Sequence, residues 1–198
     1  MSGLRGGVAS NRDSASKPTG AILEVHAIRR ALSELNCLPQ GCYMSLNASP
    51  DVILSEALHA TLSEVPCENL LLEVTEHTEV ADYDAFQRRL EPLRIRGLQV
   101  AVDDAGAGFA SLNHIVKLRP DVIKLDLSLT KGIDTNANQR AIASALAGYS
   151  KEIGVRMIAE GIETAEELET LRRIGIGYGQ GYLLGRPQPL PVCARQTG

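Results

Sequence analysis

A chain of 198 residues, 44% hydrophobic and 22% charged, can bury one sizeable core and reads as a single domain. Its formal net charge of -4 gives no blanket attraction to DNA, RNA or an anionic membrane, and 4% aromatic residues offer no stacking platform for single strands. No apolar run approaches the roughly 20 residues that span a bilayer, and residues 1–17 lack the apolar stretch of a secretory signal, so a cytoplasmic protein is expected.

In chain order, residues 1–17 read as a disordered lead-in rich in Gly, Ser and Arg. The spacing of Ile22, Val25, Ile28, Leu32 and Leu35 predicts a helix over 21–35. A strand is expected near 42–47, and then Ser49-Pro50, an N-cap with proline at the first helical position, opens a helix carrying Val52, Ile53, Leu54, Ala57 and Leu58. Further strands are expected near 70–75, 99–103, 122–126, 156–159 and 178–183. Helices fall between them at about 83–96 (Pro92 suggests a kink), 111–117, 137–153 and 165–174, three of them closed by Gly97, Gly154 and Gly175. Cys37, Cys42, Cys67 and Cys193 show neither CxxC pairing nor zinc spacing and read as reduced thiols. His26, His59, His77 and His114 share no ligand-like spacing and read as surface or packed residues.

Strand and helix alternate throughout, which argues for an α/β fold with a parallel sheet. A doubly wound sheet would carry its glycine-rich phosphate loop after the first strand, whereas here Asp104-Ala105-Gly106-Ala107-Gly108 follows the third. A (β/α)8 TIM-like barrel distributes functional residues over many strand ends, as this chain does. Barrel closure needs eight strands and typically about 250 residues. The six expected strands therefore predict an incomplete barrel, with about two N-terminal strands missing.

Each apolar run stops on a polar or charged group. Asn47, Glu73, Asp103 with Asp104, and Glu160 end such runs, while Lys124 sits in Val-Ile-Lys-Leu-Asp and Gln180 in Tyr-Gly-Gln-Gly-Tyr. In a barrel those ends meet at one mouth. Asn47, Glu73, Asp103, Asp104 and Glu160 offer only oxygen ligands, which suit Mg²⁺ or Mn²⁺ rather than zinc or copper. Two such ions could clamp a phosphoryl group and activate water, with Lys124 offsetting the developing charge. Lys124 has a rival reading as a Schiff-base nucleophile of a sugar-phosphate aldolase. Asp126, expected on the same strand face, favours a charged lysine instead.

Taken together, six segments resemble the EAL domain family. They are Ser45-Leu46-Asn47-Ala48-Ser49-Pro50, Leu72-Glu73-Val74-Thr75-Glu76, Val102-Asp103-Asp104-Ala105-Gly106, Pro120-Asp121-Val122-Ile123-Lys124-Leu125-Asp126, Ile158-Ala159-Glu160-Gly161-Ile162-Glu163 and Gly179-Gln180-Gly181-Tyr182 with Gly185-Arg186-Pro187. The likeness covers roughly residues 20–190, and the domain is expected over 18–192 with a tail at 193–198. It implies an incomplete EAL-type barrel that hydrolyses cyclic di-GMP to linear pGpG with Mg²⁺ or Mn²⁺. The resemblance further implies Asn47, Glu73 and Asp103 as metal ligands, with Asp104 and Glu160 serving a second metal. Lys124 matches the catalytic lysine, Glu76 the acid that steadies the loop after the third strand, and Gln180 a glutamine near water and substrate. Asp126 and Pro187 match substrate-side positions, and Glu163 an accessory acid. A homodimer or a regulatory signalling partner is implied in the same way.

The family's naming Glu-Ala-Leu motif lies on an early strand, upstream of the first helix seen here, and supplies a further ligand. Glu56-Ala57-Leu58 repeats those letters, but it follows the Asn47 motif inside an expected helix and is read as a decoy. Ala105 and Ala107 replace a common Phe and Thr. The alternative is a degenerate, non-enzymatic module that binds cyclic di-GMP or a protein.

Overall fold

A computed structural model describes residues 18–75, 80–106 and 112–190. Glu76, Ala107, His77, Cys193, the lead-in and the tail therefore lie outside the described residues. Six strands form one parallel sheet in sequence order: Met44–Asn47 (β1), Leu70–Thr75 (β2), Gln99–Ala105 (β3), Val122–Leu125 (β4), Arg156–Ala159 (β5) and Tyr178–Gly179 (β6). The helices between them are Pro18–Leu32 (α1), Pro50–Leu54 (α2), Glu56–Ser63 (α3), Tyr83–Ile95 (α4), Leu112–Leu118 (α5), Leu127–Thr130 (α6), Ala137–Glu152 (α7) and Ala165–Ile174 (α8). The result is a half-barrel of the expected α/β type, with β1 and β6 at its two ends.

Side chains on a strand alternate between faces, and here the alternation sorts chemistry from packing. Leu46, Leu70, Leu72, Val74, Val100, Val102 and Ile123 share a core with helical residues such as Val52, Ile53, Leu58, Phe86, Leu90 and Ile115. Leu125, Met157 and Ala159 extend that outer layer against Leu129, Ala143, Leu146 and Leu171. The opposite parity forms a small inner cluster, Leu71, Ala101, Val122 and Ile158, with Tyr43 against it. One step further along each strand on that inner face stand Glu73, Asp103, Lys124 and Glu160. The apolar layer below them closes the floor of the mouth.

Four local expectations change. The helix after Pro50 is two helices, because Ser55 breaks it: its Oγ donates to Val52 O at 2.7 Å and accepts from Leu58 N at 3.2 Å, ending α2 and capping α3. Pro92 lies inside α4, as expected. β6 is two residues long rather than six, because at Gly181 the chain leaves the ladder and packs onto the Ile162 backbone, where any Cβ would collide. A short helix that the sequence reading omitted, α6, is capped by Asp126. Cys42 and Cys67 are free thiols, with burial pushing Cys67 up, but Cys37 is disulfide-bonded, which corrects the expectation of reduced cysteines throughout.

Candidate functional site

The site begins with parity. Asn47 pairs in register with Glu73, and Thr75 with Asp103, so the inner-face polar groups of β1, β2 and β3 rise along the sheet side by side. Lys124 pairs with Ile158 on β5, and Glu160 follows that strand directly. In the middle of this array the Lys124 ammonium, 2% exposed, lies 2.9 Å from Glu73 Oε1, 2.7 Å from Asp103 Oδ1 and 2.7 Å from Glu160 Oε1. The ammonium donates a hydrogen bond to Asp103 Oδ1 and forms ion pairs with Glu73 and Glu160, so three carboxylates surround it. That geometry stands against the Schiff-base reading, which needs a neutral, accessible amine.

Asp126 does not hold Lys124 as expected. β4 ends at Leu125, and one Asp126 oxygen accepts from Ser128 N at 2.8 Å as the N-cap of α6. The lysine takes its counter-charges from three other strands instead.

Consecutive acids on a regular strand would point to opposite faces, yet Asp103 and Asp104 act together. The β3–β4 register advances three residues, Val102 to Ala105, against two, Ile123 to Leu125. This bulge holds Asp104 at φ 57, a left-handed conformation that aspartate tolerates better than most residues. As a result Asp103, Asp104 and Glu160 each offer a carboxylate oxygen within 4.8 Å of the others. Three carboxylates, Glu73, Asp103 and Glu160, surround one buried ammonium, and Asp104 adds a fourth beside two of them.

The rim loops brace these groups. Gln180 Nε2 donates to Glu160 Oε1 at 2.5 Å, while Ile162 N donates to Gln180 O at 3.0 Å, so β5 and β6 carry Glu160 and Gln180 as a unit. Behind them the buried Glu167 carboxylate accepts from Gly132 N at 2.9 Å, Glu163 N at 2.9 Å and Thr164 N at 3.1 Å. Burial raises its proton affinity, but the three backbone donors outweigh burial and hold the carboxyl below its usual range. On β1 the Glu24 carboxylate of α1 accepts from Ser49 N at 3.1 Å and Ser49 Oγ at 2.7 Å, fixing the turn just beyond Asn47.

Among the sequence candidates, Glu73, Asp103, Asp104, Lys124, Glu160 and Gln180 converge, and Asn47 stands exposed at the rim beside Glu73. Pro187 is exposed on the segment beyond β6, and Glu163 pairs at the surface with Lys131 at 3.3 Å. Glu56 lies on α3, 90% exposed and paired with Arg89 at 2.8 Å, away from the inner face, as expected of a decoy. His114 is packed against the Tyr83 hydroxyl at 2.5 Å, and burial lowers its proton affinity. The sequence reading missed Ser45, whose Oγ hydrogen-bonds Glu73 Oε1. Its parity with Asn47, two residues on, is the signal that could have found it.

An array of this kind at the carboxyl ends of parallel strands can be compared with known proteins. The EAL domain family model matches residues 20–187. The chain belongs to the EAL domain family. It is 32% identical over 183 residues to cyclic di-GMP phosphodiesterase PdeB of Shewanella oneidensis, covering 88% of this chain and 21% of that protein. It is 30% identical over 169 residues to cyclic di-GMP phosphodiesterase RocR of Pseudomonas aeruginosa, covering 82% of this chain and 42% of the relative. The EAL chain thus spans less than half the length of either. Klebsiella pneumoniae BlrP1, solved with calcium and cyclic di-GMP, superposes with a TM-score of 0.76 at 28% identity over 90% of this chain and 48% of its own. The EAL domain of Mycobacterium smegmatis DcpA gives 0.71 at 29% identity over 84% of this chain and 77% of its own.

Proposed function

We propose that this EAL unit carries out metal-dependent hydrolysis of cyclic di-GMP to linear pGpG. The observation that carries the reading is the meeting of Glu73, Asp103, Asp104, Glu160 and Lys124 on one inner face. The donor set is oxygen only, and three of its carboxylates lie within mutual reach of one hard divalent cation. Asn47, Glu73 and Asp103 would hold one Mg²⁺ or Mn²⁺, with Asp104 and Glu160 serving a second. When bound, such ions polarise a phosphoryl oxygen and make water a nucleophile near neutral pH.

The chain's own residues supply the rest. Lys124 keeps a fixed positive charge beside the place where negative charge develops on the phosphate. Gln180 restrains Glu160 through its amide, and its position at the rim suits contact with water and substrate. On the family resemblance, Asp126 and Pro187 would serve substrate-side positions and Glu76 would be the acid that steadies the loop after β3. A homodimer or a regulatory signalling partner would couple this site to an input.

The open sheet supports a second reading, a module that binds cyclic di-GMP without turnover, because β1 and its Asn47 stand at an end of the sheet. Incubating the protein with cyclic di-GMP and Mn²⁺ and following pGpG separates the two. Turnover that stops with EDTA and falls roughly 10²–10³-fold in Asp103→Asn supports hydrolysis. Saturable binding without pGpG supports the module, and neither binding nor pGpG sinks both.

A further inference from the structure

We infer that Ser45 is a positioning residue that makes Glu73 offer a single oxygen to a cation, and so biases the site towards Mn²⁺ or Mg²⁺ and away from Ca²⁺. The inference rests on the metal-site reading above. Ser45 lies on the inner face of β1, opposite Leu71 and diagonal to Glu73 on β2. Its hydroxyl reaches Glu73 Oε1, the same oxygen that lies 2.9 Å from the Lys124 ammonium. Glu73 Oε1 is therefore held from two sides, by a neutral donor on one neighbouring strand and a cation from the far side. Glu73 Oε2 has no hydrogen-bond partner among the described residues, and it is not among the polar atoms sealed from solvent.

The two oxygens of this carboxylate are thus unequal. One anchors the side chain to the protein and the other is left for a ligand. Ca²⁺ takes six to eight oxygens and commonly both oxygens of one carboxylate, whereas Mg²⁺ requires a near-octahedral set at shorter distance and binds one or two carboxylates with several waters. A carboxylate pinned by Oε1 suits the smaller ions. Without Ser45 only the Lys124 ion pair restrains Oε1, and the carboxylate can rotate more readily to present both oxygens. Groups that orient a ligand in this way typically change metal affinity or activity by about 10–100-fold.

The test is calorimetric titration of the intact chain with MnCl₂ and, separately, CaCl₂, for the native protein and for Ser45→Ala, Ser45→Thr and Asp103→Asn. Thermal melts in EDTA check that each variant folds; Ser45→Ala removes one atom from a half-buried site. The expected result is a fall of roughly tenfold or more in Mn²⁺ affinity for Ser45→Ala, with Ca²⁺ affinity kept or raised. Ser45→Thr, which keeps the hydroxyl on a strand that accepts β-branched residues, restores the native ratio. Equal affinities in Ser45→Ala and the native protein, or equal losses for both ions, overturn the role of Ser45 provided Asp103→Asn still weakens Mn²⁺ binding. If Asp103→Asn leaves Mn²⁺ binding unchanged, the metal-site reading itself fails and this inference with it.

Discussion

Asp104 stores conformational strain where function wants a second carboxylate. Held at φ 57 in the β3 bulge, it occupies a region costing a non-glycine residue roughly 1–2 kcal/mol. Its charge also stands within 4.8 Å of Asp103 and Glu160 oxygens. Asp104→Gly removes both burdens, against a glycine's larger entropy loss on folding. The expected outcome is a gain of up to about 1 kcal/mol in urea denaturation measured in EDTA, together with weakened Mn²⁺ binding. A destabilised variant would mean that the bulge relies on the Asp104 side chain. This pairing of strain with chemistry also marks a limit of sequence reading. Two adjacent acids at a strand end are easy to see, but nothing in Val102-Asp103-Asp104-Ala105 says that the chain inserts an extra residue to aim both at one place. Strict alternation would have sent Asp104 outward.

At the scale of elements, α8 shows how a helix start doubles as a brace. Thr164 and Glu167 form a reciprocal capping box, and Glu167 spends further acceptor capacity on Glu163 N and on Gly132 N from the neighbouring loop. Gly175 made the end of α8 legible, as Ser49-Pro50 did the start of α2, because caps are local chemistry. The bond to Gly132, 35 positions away, was not legible, since nothing local encodes it. Likewise Asp126 was placed on the strand when it is a cap, because a strand end and a helix start share the same residue types. Glu167 has a consequence for acid stability. Its folded carboxyl titrates below its ordinary value, so its contribution is complete above the usual glutamate pKa of about 4.3 and is lost as pH falls through the lower folded value. Urea denaturation at a series of pH values below 5 should show a steeper acid loss for the native chain than for Glu167→Gln, which keeps a capping-box acceptor but cannot ionise. Parallel pH profiles for the two would show that Glu167 contributes no proton linkage.

At the scale of the molecule, the half-barrel was legible because six apolar runs ending in polar groups can be counted, and its openness followed from the count. The two ends of the sheet carry the physical consequence. Among the described residues β1 and β6 each pair with one strand, so the outer backbone groups of both face away from the ladder. Near the β1 end, α1 exposes Ile22 (70%) and Leu23 (60%), and near the β6 end Tyr178, Tyr182, Leu183 and Leu184 are exposed as well. Unpaired edges beside apolar surface template association with another chain, and natural edges are commonly blunted by lysine. Concentration-dependent self-association is therefore expected in sedimentation velocity on the 198-residue chain. A double substitution, Ile22→Lys with Leu23→Lys, lies on α1 away from the inner-face carboxylates and should reduce that association while leaving Mn²⁺ titrations unchanged. Association that persists undiminished in the double variant would place the contact elsewhere, and a monomer at every concentration would mean that the open ends are shielded in solution. Loss of Mn²⁺ binding in the same variant would tie the α1 surface to the site, through the Glu24 contact with the Ser49 turn beside Asn47.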